Sequence, residues 1–167
     1  DVQSFVSDRL RGFYTDRGHG TQLVNAVLAA PWTTLPDLDR RMRALDAFMS
    51  ADAARSLAAS NKRIGNILRK SEFSGSKDID VKLFNFDEEN GLFEAILKAE
   101  ETVQPLLASG RYEESLVALS TLEEPVNRFF DEVMVMDEDK ALRDNRLALL
   151  SRLKGLFDRI ADLSILG

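Results

Sequence analysis

Between residues 142 and 163 the chain carries Leu142, Leu149, Leu150, Leu153, Leu156, Phe157, Ile160 and Leu163 at the three- and four-residue spacing of one helical face. A stripe this broad and apolar needs several neighbouring elements to cover it, so the last helix is expected at the centre of a bundle. Arg146 falls inside the stripe. A guanidinium withdrawn from water needs a carboxylate or carbonyl partner, and Asp8, Asp131 and Asp162 are the candidates. By the same logic Arg9, set among Val2, Phe5, Val6 and Phe13, reads as a paired structural charge. Asn61 interrupts another apolar face and reads as a structural polar group.

The remaining sequence is helical in pattern and offers few strand signals. Val2, Phe5, Val6, Leu10 and Phe13 form a first face that stops near Gly18 and Gly20, and a short second helix through Leu23, Val24, Val27 and Leu28 stops at Pro31. Thr34-Leu35-Pro36-Asp37 has the chemistry of a helix start: a hydroxyl cap, an early proline and an early carboxylate. Ser50 is expected to cap the next helix. Residues 71–87 form the one long irregular stretch, read as a loop or flexible insertion. Helical pattern resumes at Asp87, with Pro105 expected to kink or interrupt it. Another helix follows from Tyr112 to Leu122, and Pro125 opens the segment holding Phe129 and Phe130. Asp137 is expected to cap the final helix, with Glu138 and Asp139 favouring its dipole. The expected fold is all-α, a helical bundle of about seven or eight helices with short connections, in a single domain over residues 1–167. Because the first helix is already under way at the start, the chain reads as a fragment of a longer protein.

Several chemistries have no representative here. There are no cysteines, hence no disulfide, thiolate zinc site or cysteine nucleophile, and a lean towards the cytosol. The single histidine, His19, sits in a glycine-flanked turn, and no HExxH, GxSxG or phosphate-cradling glycine loop occurs. Asp87-Glu88-Glu89 and Glu123-Glu124 lack calcium-loop spacing and read as helix starts. No apolar run reaches the roughly eighteen residues of a membrane span. No catalytic residue and no metal ligand is expected.

The net charge of −6 argues against a general affinity for nucleic acid, but it is unevenly spread: through Phe73 there are eleven Lys/Arg against eight Asp/Glu, and from Ser74 eleven against twenty. It is the local field that attracts phosphates. Arg55, Lys62, Asn66 and Arg69 fall within about 60° of one another on a helical wheel, along about 21 Å of helix. Such a row suits tracking a nucleic-acid backbone, with Asn66 free to bond a phosphate or a base edge. It equally suits an ordinary solvated flank. Arg40 and Arg43 face outward on the preceding helix and extend the surface. Phe129 and Phe130 can stack on unpaired bases, or serve as core.

Three blocks carry a resemblance that spans the chain from end to end. They are Phe5-Val6-Ser7-Asp8-Arg9-Leu10-Arg11-Gly12, then Ala59-Ser60-Asn61-Lys62-Arg63-Ile64-Gly65-Asn66-Ile67-Leu68, and a terminal block. The terminal block runs from Phe129-Phe130-Asp131 through Val133-Met134-Val135-Met136, Leu142-Arg143 and Asn145-Arg146-Leu147-Ala148-Leu149-Leu150 to Ile160-Ala161-Asp162-Leu163-Ser164. In this order they resemble the C-terminus of the β subunits of bacterial glycine–tRNA ligases. Lys140-Ala141-Leu142-Arg143 also resembles the all-helical DALR anticodon-binding domain of arginyl-tRNA synthetases.

The resemblance implies a DALR-type anticodon-binding domain that grips the anticodon arm of glycine tRNA. It implies the ligase α subunit and the rest of the β subunit as partners, with neither membrane nor DNA, and a cytoplasmic location. ATP and magnesium are implied for the complete enzyme, which performs aminoacylation elsewhere, and no cofactor for this fragment. No short contact motif comes with it, so the RNA-binding residues are a physical expectation: Arg55, Lys62, Arg63, Asn66 and Arg69 first, with Arg11, Arg17, Arg40 and Arg43 as secondary contacts. In the acidic second half only Arg143 and Arg152 are expected to take part. Two alternatives remain open, a helical protein-interaction module docking another domain or subunit, and the anticodon domain of an arginyl-type synthetase.

Overall fold

The computed structural model describes residues 2–74 and 78–167. Among the described residues there are eight α-helices: α1 (Val2–Asp16), α2 (Thr21–Leu28), α3 (Leu35–Met49), α4 (Asp52–Lys70), α5 (Asp87–Ala108), α6 (Tyr112–Leu119), α7 (Glu123–Glu132) and α8 (Lys140–Asp158). Short 3₁₀ turns lie at Val81–Leu83, Ser120–Leu122 and Leu163–Ile165, and no strand is present among the described residues. The expected all-α bundle is what forms.

Helix α8 is its spine. Leu147, Ala148, Leu149 and Leu150, four consecutive residues covering a full turn, are all buried, so neighbours surround the helix there instead of covering one side. Those neighbours are α4 and α5, and the Val81–Leu83 turn also touches it. Beyond α8 the chain folds back: Asp162 donates its backbone N–H to Ala26 O at 2.9 Å, and the Leu163–Ile165 turn packs on α4 and α2. Helix α5 packs on both α6 and α7, and α6 rests on α3. Helix α1 is the outlier, packing mainly on α2, with Tyr14 its only buried residue.

Two buried charge clusters lock the bundle. Arg146 donates from Nε to Glu89 Oε1 (2.8 Å) and from Nη1 to Met134 O (2.8 Å) and Asp137 Oδ2 (3.3 Å). Glu89 Oε2 in turn accepts from the backbone of Asn85 (2.8 Å) and Phe86 (3.1 Å), which ties the start of α5 to α8. Arg146 is thus the paired structural charge its place in the stripe requires, but its partners are Glu89, Asp137 and a carbonyl, not Asp8, Asp131 or Asp162. The second cluster joins α3, α6 and the C-terminal segment. Buried Asp37 accepts from the Tyr112 hydroxyl, from Thr33 N (2.9 Å) and from Arg41 Nε (3.1 Å). Arg41 Nη1 reaches Arg159 O (2.6 Å) and Ile160 O (3.0 Å). Burial raises the Asp37 pKa, yet these donors outweigh it and hold the carboxyl below its ordinary value.

Other expectations need correcting. Arg9 is exposed, its guanidinium 5.0 Å from the Phe5 ring, because no second layer covers that side of α1. Thr34 caps α3 as expected, accepting from Asp37 N at 3.2 Å. Ser50 instead ends α3, its hydroxyl bonded back to Ala47 O (2.7 Å), and Ala51 precedes α4. Asp139, not Asp137, caps α8, accepting from Ala141 N and Leu142 N, since Asp137 is engaged with Arg146. Pro105 lies within the last turn of α5, which continues to Ala108. The stretch 71–87 contains the Val81–Leu83 turn, pinned where Asn145 exchanges two hydrogen bonds with the backbone of Asp80 (2.7 and 2.9 Å). Its residues 75–77 lie outside the described residues.

Candidate nucleic-acid interface

Helix α4 carries Arg55, Lys62, Arg63, Arg69 and Lys70 against a single carboxylate, Asp52. Its inner face is Ala54, Leu57, Ala58, Asn61 and Ile64, seated on α8, α7 and the C-terminal turn, so the five cations are left on the outer side, where all are exposed. Asn66 is half-buried between them. The sequence produces this by keeping small and aliphatic residues at the inward positions, where Ala54 and Ala58 allow close helix contact.

None of the five cations on α4 forms an ion pair with a described residue. Elsewhere the cations are mostly answered: Arg11 by Asp8, Arg43 by Asp39, Arg111 by Glu114, Lys140 by Asp144, and Arg152 by Glu100. Of the contacts that α4's cations do make, those of Arg69 and Arg63 are to neutral groups. Arg69 donates to Asn66 Oδ1 (2.8 Å), Lys62 Nζ to Gly167 O (2.9 Å), and the Arg63 guanidinium lies 4.2 Å over the Phe130 ring. Arg55 makes no hydrogen bond among the described residues.

The row is bounded on two sides. On one, Gly167 is pressed against α4, where an added Cβ would come within 2.6 Å of Ala58 O. On the other, α7 contributes Phe130 beneath Arg63, and Asn127, which exchanges hydrogen bonds with Ser56 (3.2 and 3.4 Å). Phe129 is buried core, edge-on to Phe130 at 5.6 Å. Phe130 stays half-exposed, capped by the arginine. Near Gly65 the structure adds Lys154 of α8, its Cε 3.4 Å from where a Cβ would sit. Asp158 (2.9 Å) and Asp162 (3.3 Å) neutralise that lysine, so it adds little to the field. Nothing in the sequence pattern singled it out, since helix α8 and the turn beyond it meet α4 only in the tertiary fold.

The secondary candidates do not join this row. Arg17 and Arg43 are exposed and act on Tyr14 at the α1–α3 end. Burial, and next Asp39, raise the Tyr14 pKa against the opposing pull of those two arginines. Arg11 is held between Asp8 (2.6 Å) and Asn25 (2.6 Å). Arg40 points at the α5–α6 junction, with Nε 3.2 Å from a Cβ built on Gly110. Arg143 does border the C-terminal end of α4, in a cleft of about 470 Å³ with Ser71, Phe73 and Lys140, and donates to Asp137 O (3.1 Å). Arg152 is spent on Glu100 through two hydrogen bonds (2.7 and 2.8 Å).

Among the described residues no group of three or more His, Asp or Glu side chains is placed to hold a metal ion, and no helix is long and apolar enough to cross a membrane. Helix α4 thus presents five exposed cations on a protein whose net charge is −6.

Comparison with known proteins gives this surface a context. Residues 57–167 match the family model described as the DALR anticodon binding domain. The chain is 45% identical over 166 residues to the glycine–tRNA ligase β subunits of Aliivibrio fischeri strain MJ11 and Vibrio campbellii, and 44% to that of Pseudoalteromonas translucida. Each alignment takes in 99% of this chain but 24% of the relative, so the chain spans about a quarter of the length of the curated relatives it matches. In these relatives the matched part is the C-terminal one. Helix architecture, matched family model and relatives agree, and the chain belongs to the DALR anticodon-binding domain family.

Proposed function

We propose that this chain is the anticodon-binding domain of a glycine–tRNA ligase β subunit, and that α4 is its RNA-facing flank, with Arg55, Lys62, Arg63, Asn66 and Arg69 as the contacts. The observation that carries the reading is the set of cations on α4 without ion pairs, in a chain whose net charge is −6. Lysine and arginine left unneutralised on one helix make a local positive field, and phosphate contacts draw most of their affinity from such a field. An anticodon is a single-stranded loop whose bases are exposed, so it is read by stacking and by hydrogen bonds to base edges. Arg63, braced from below by Phe130, is suited to stacking, and the Asn66 amide to edge recognition.

In this reading the domain supplies binding energy and specificity, and the chemistry lies elsewhere. The rest of the β subunit carries the tRNA towards the catalytic centre, and the α subunit activates glycine there with ATP and magnesium, in the cytoplasm. The arginyl alternative shares the fold, but the 45% identity to glycine–tRNA ligase subunits supports glycine tRNA. Arg11, Arg17, Arg40 and Arg43 sit away from the α4 row or are already paired, and are at most peripheral contacts.

The test is a salt-resolved titration of the full-length β subunit, with its α subunit, against glycine tRNA and an anticodon-altered version. Binding is expected to weaken for the altered tRNA and to fall with salt. Arg55→Ala and Arg69→Ala should each lower affinity for both tRNAs and reduce the salt slope by about one. Equal affinity for the two tRNAs sinks anticodon reading, and an unchanged salt slope in both variants shows that α4 is the wrong face.

A further inference from the structure

We propose that the outer face of α1 is a docking surface for the polypeptide that precedes this chain in the full-length β subunit. The inference rests on the reading that this chain is the C-terminal part of such a subunit. Helix α1 has an inward apolar edge and an outer face where exposed hydrophobic residues are interleaved with charge. Leu10 and Tyr14 turn inward onto α2 and the core. Val2, Phe5, Val6 and Phe13 lie beside them, within about 100° of the wheel, and are 79, 60, 43 and 45% exposed. Arg9 and Asp16 share this arc, and the Arg9 and Arg17 guanidinium groups lie 5.0 and 3.4 Å from the Phe5 and Phe13 rings. Scattered exposed hydrophobics are ordinary, but four along one helix face, two of them phenylalanines, form a patch of the kind that marks an interaction site.

Three further observations describe the surface. Leu35 at the start of α3 is 58% exposed and, with Phe13, Leu10 and Pro36, lines a cleft of about 870 Å³ between α1 and α3. The rim of this cleft carries both signs of charge, Asp8, Asp16 and Asp39 with Arg9, so it does not select phosphate. Gly12 lies next to Phe5 on the wheel, and a Cβ added there would meet nothing within 4 Å. Nothing within this chain requires the missing side chain, although a mid-helix glycine costs about 1 kcal/mol. A bare backbone beside an apolar stripe permits close approach by something outside the chain.

The choice of occupant follows from the relatives. The chain covers 24% of each, and the remainder lies on the N-terminal side of the matched part, so it enters through α1. A covalently attached neighbour is present at high effective concentration and reaches this face before any free partner. Mixed apolar and charged surface is also what interfaces between domains of one chain present.

The experiment is photo-crosslinking in the full-length β subunit with Phe5→p-benzoylphenylalanine and, separately, Phe13→p-benzoylphenylalanine. The same change at Val117, 66% exposed on α6, serves as control. Crosslinks from positions 5 and 13 are expected within the same polypeptide, to residues preceding this chain. Crosslinks to the α subunit, to a second β subunit or to added tRNA, or none above the Val117 control, overturn the proposal. In parallel, Phe5→Asp/Phe13→Asp in the full-length subunit should make the junction before α1 about tenfold more susceptible to limited proteolysis; unchanged cleavage overturns it as well. The tRNA titration on the same protein is an independent readout. Intramolecular crosslinks without tRNA discrimination would leave this interface standing and the anticodon reading refuted, and the reverse pattern would do the opposite.

Discussion

Substituting Arg146 by methionine tests whether the central charge is structural. Methionine keeps most of the aliphatic volume, so the cavity contribution stays small. What disappears is the bond to Glu89 Oε1 (2.8 Å), the bond to Met134 O (2.8 Å) and the longer one to Asp137 (3.3 Å). Asp137 is partly exposed and rehydrates. Glu89 is 1% exposed and cannot, although its other oxygen keeps two backbone donors. Breaking a buried ion pair from one side costs about 3–5 kcal/mol. At about 2–4 °C per kcal/mol for a chain of this size, the melting temperature should fall by roughly 6–20 °C. Glu89→Gln added to Arg146→Met removes the stranded charge while keeping an oxygen for the Asn85 and Phe86 N–H groups, so the double variant should recover about 1–3 kcal/mol. Urea unfolding reads both, through the midpoint at constant slope. A loss under about 1 kcal/mol, or a double variant no better than the single, refutes the argument. Glycine tRNA affinity, measured where the protein is folded, should change little; a larger effect on affinity than on stability would return Arg146 to the contact surface.

Tyr112→Phe removes a donor from buried Asp37 and should cost about 1–3 kcal/mol at neutral pH. Asp37 titrates below its ordinary value in the folded protein, so its stabilisation is present above about pH 4 and is lost as pH falls through the folded value. Without the hydroxyl that value rises, and the acid-unfolding midpoint should move to higher pH, as circular dichroism across a pH series will show; an unmoved midpoint contradicts the mechanism. Asn61 is 1% exposed and its Nδ2 bonds Leu57 O (2.9 Å), but Oδ1 is buried without a partner among the described residues. Asn61→Leu is therefore expected to raise stability by about 1 kcal/mol in denaturant unfolding, and a clear loss instead would reveal a bound water satisfying Oδ1.

Periodicity by itself determined the class of fold. An apolar residue every three or four positions can be buried only by a helix, so α8, α3 and α4 were legible wherever the stripe was long, and Thr34 was legible as a cap because capping is local chemistry. The basic row on α4 was legible for the same reason: residues on one helix keep their relative angles whatever the rest of the chain does. Only the tertiary structure decided which stripes find a cover. Arg9 and Arg146 occupy equivalent places in sequence pattern, yet one is exposed beside Phe5 and the other is locked to Glu89, because α8 is surrounded and α1 is covered on one side only. Partner identity was likewise out of reach. Glu89 is 57 residues from Arg146, and a bond across that separation is set by how α5 and α8 pack. The same holds for the candidate interface. Sequence placed Arg55, Lys62, Arg63 and Arg69 on one helix, but only the fold sets Gly167, Phe130 and Asn127 beside α4 as their neighbours.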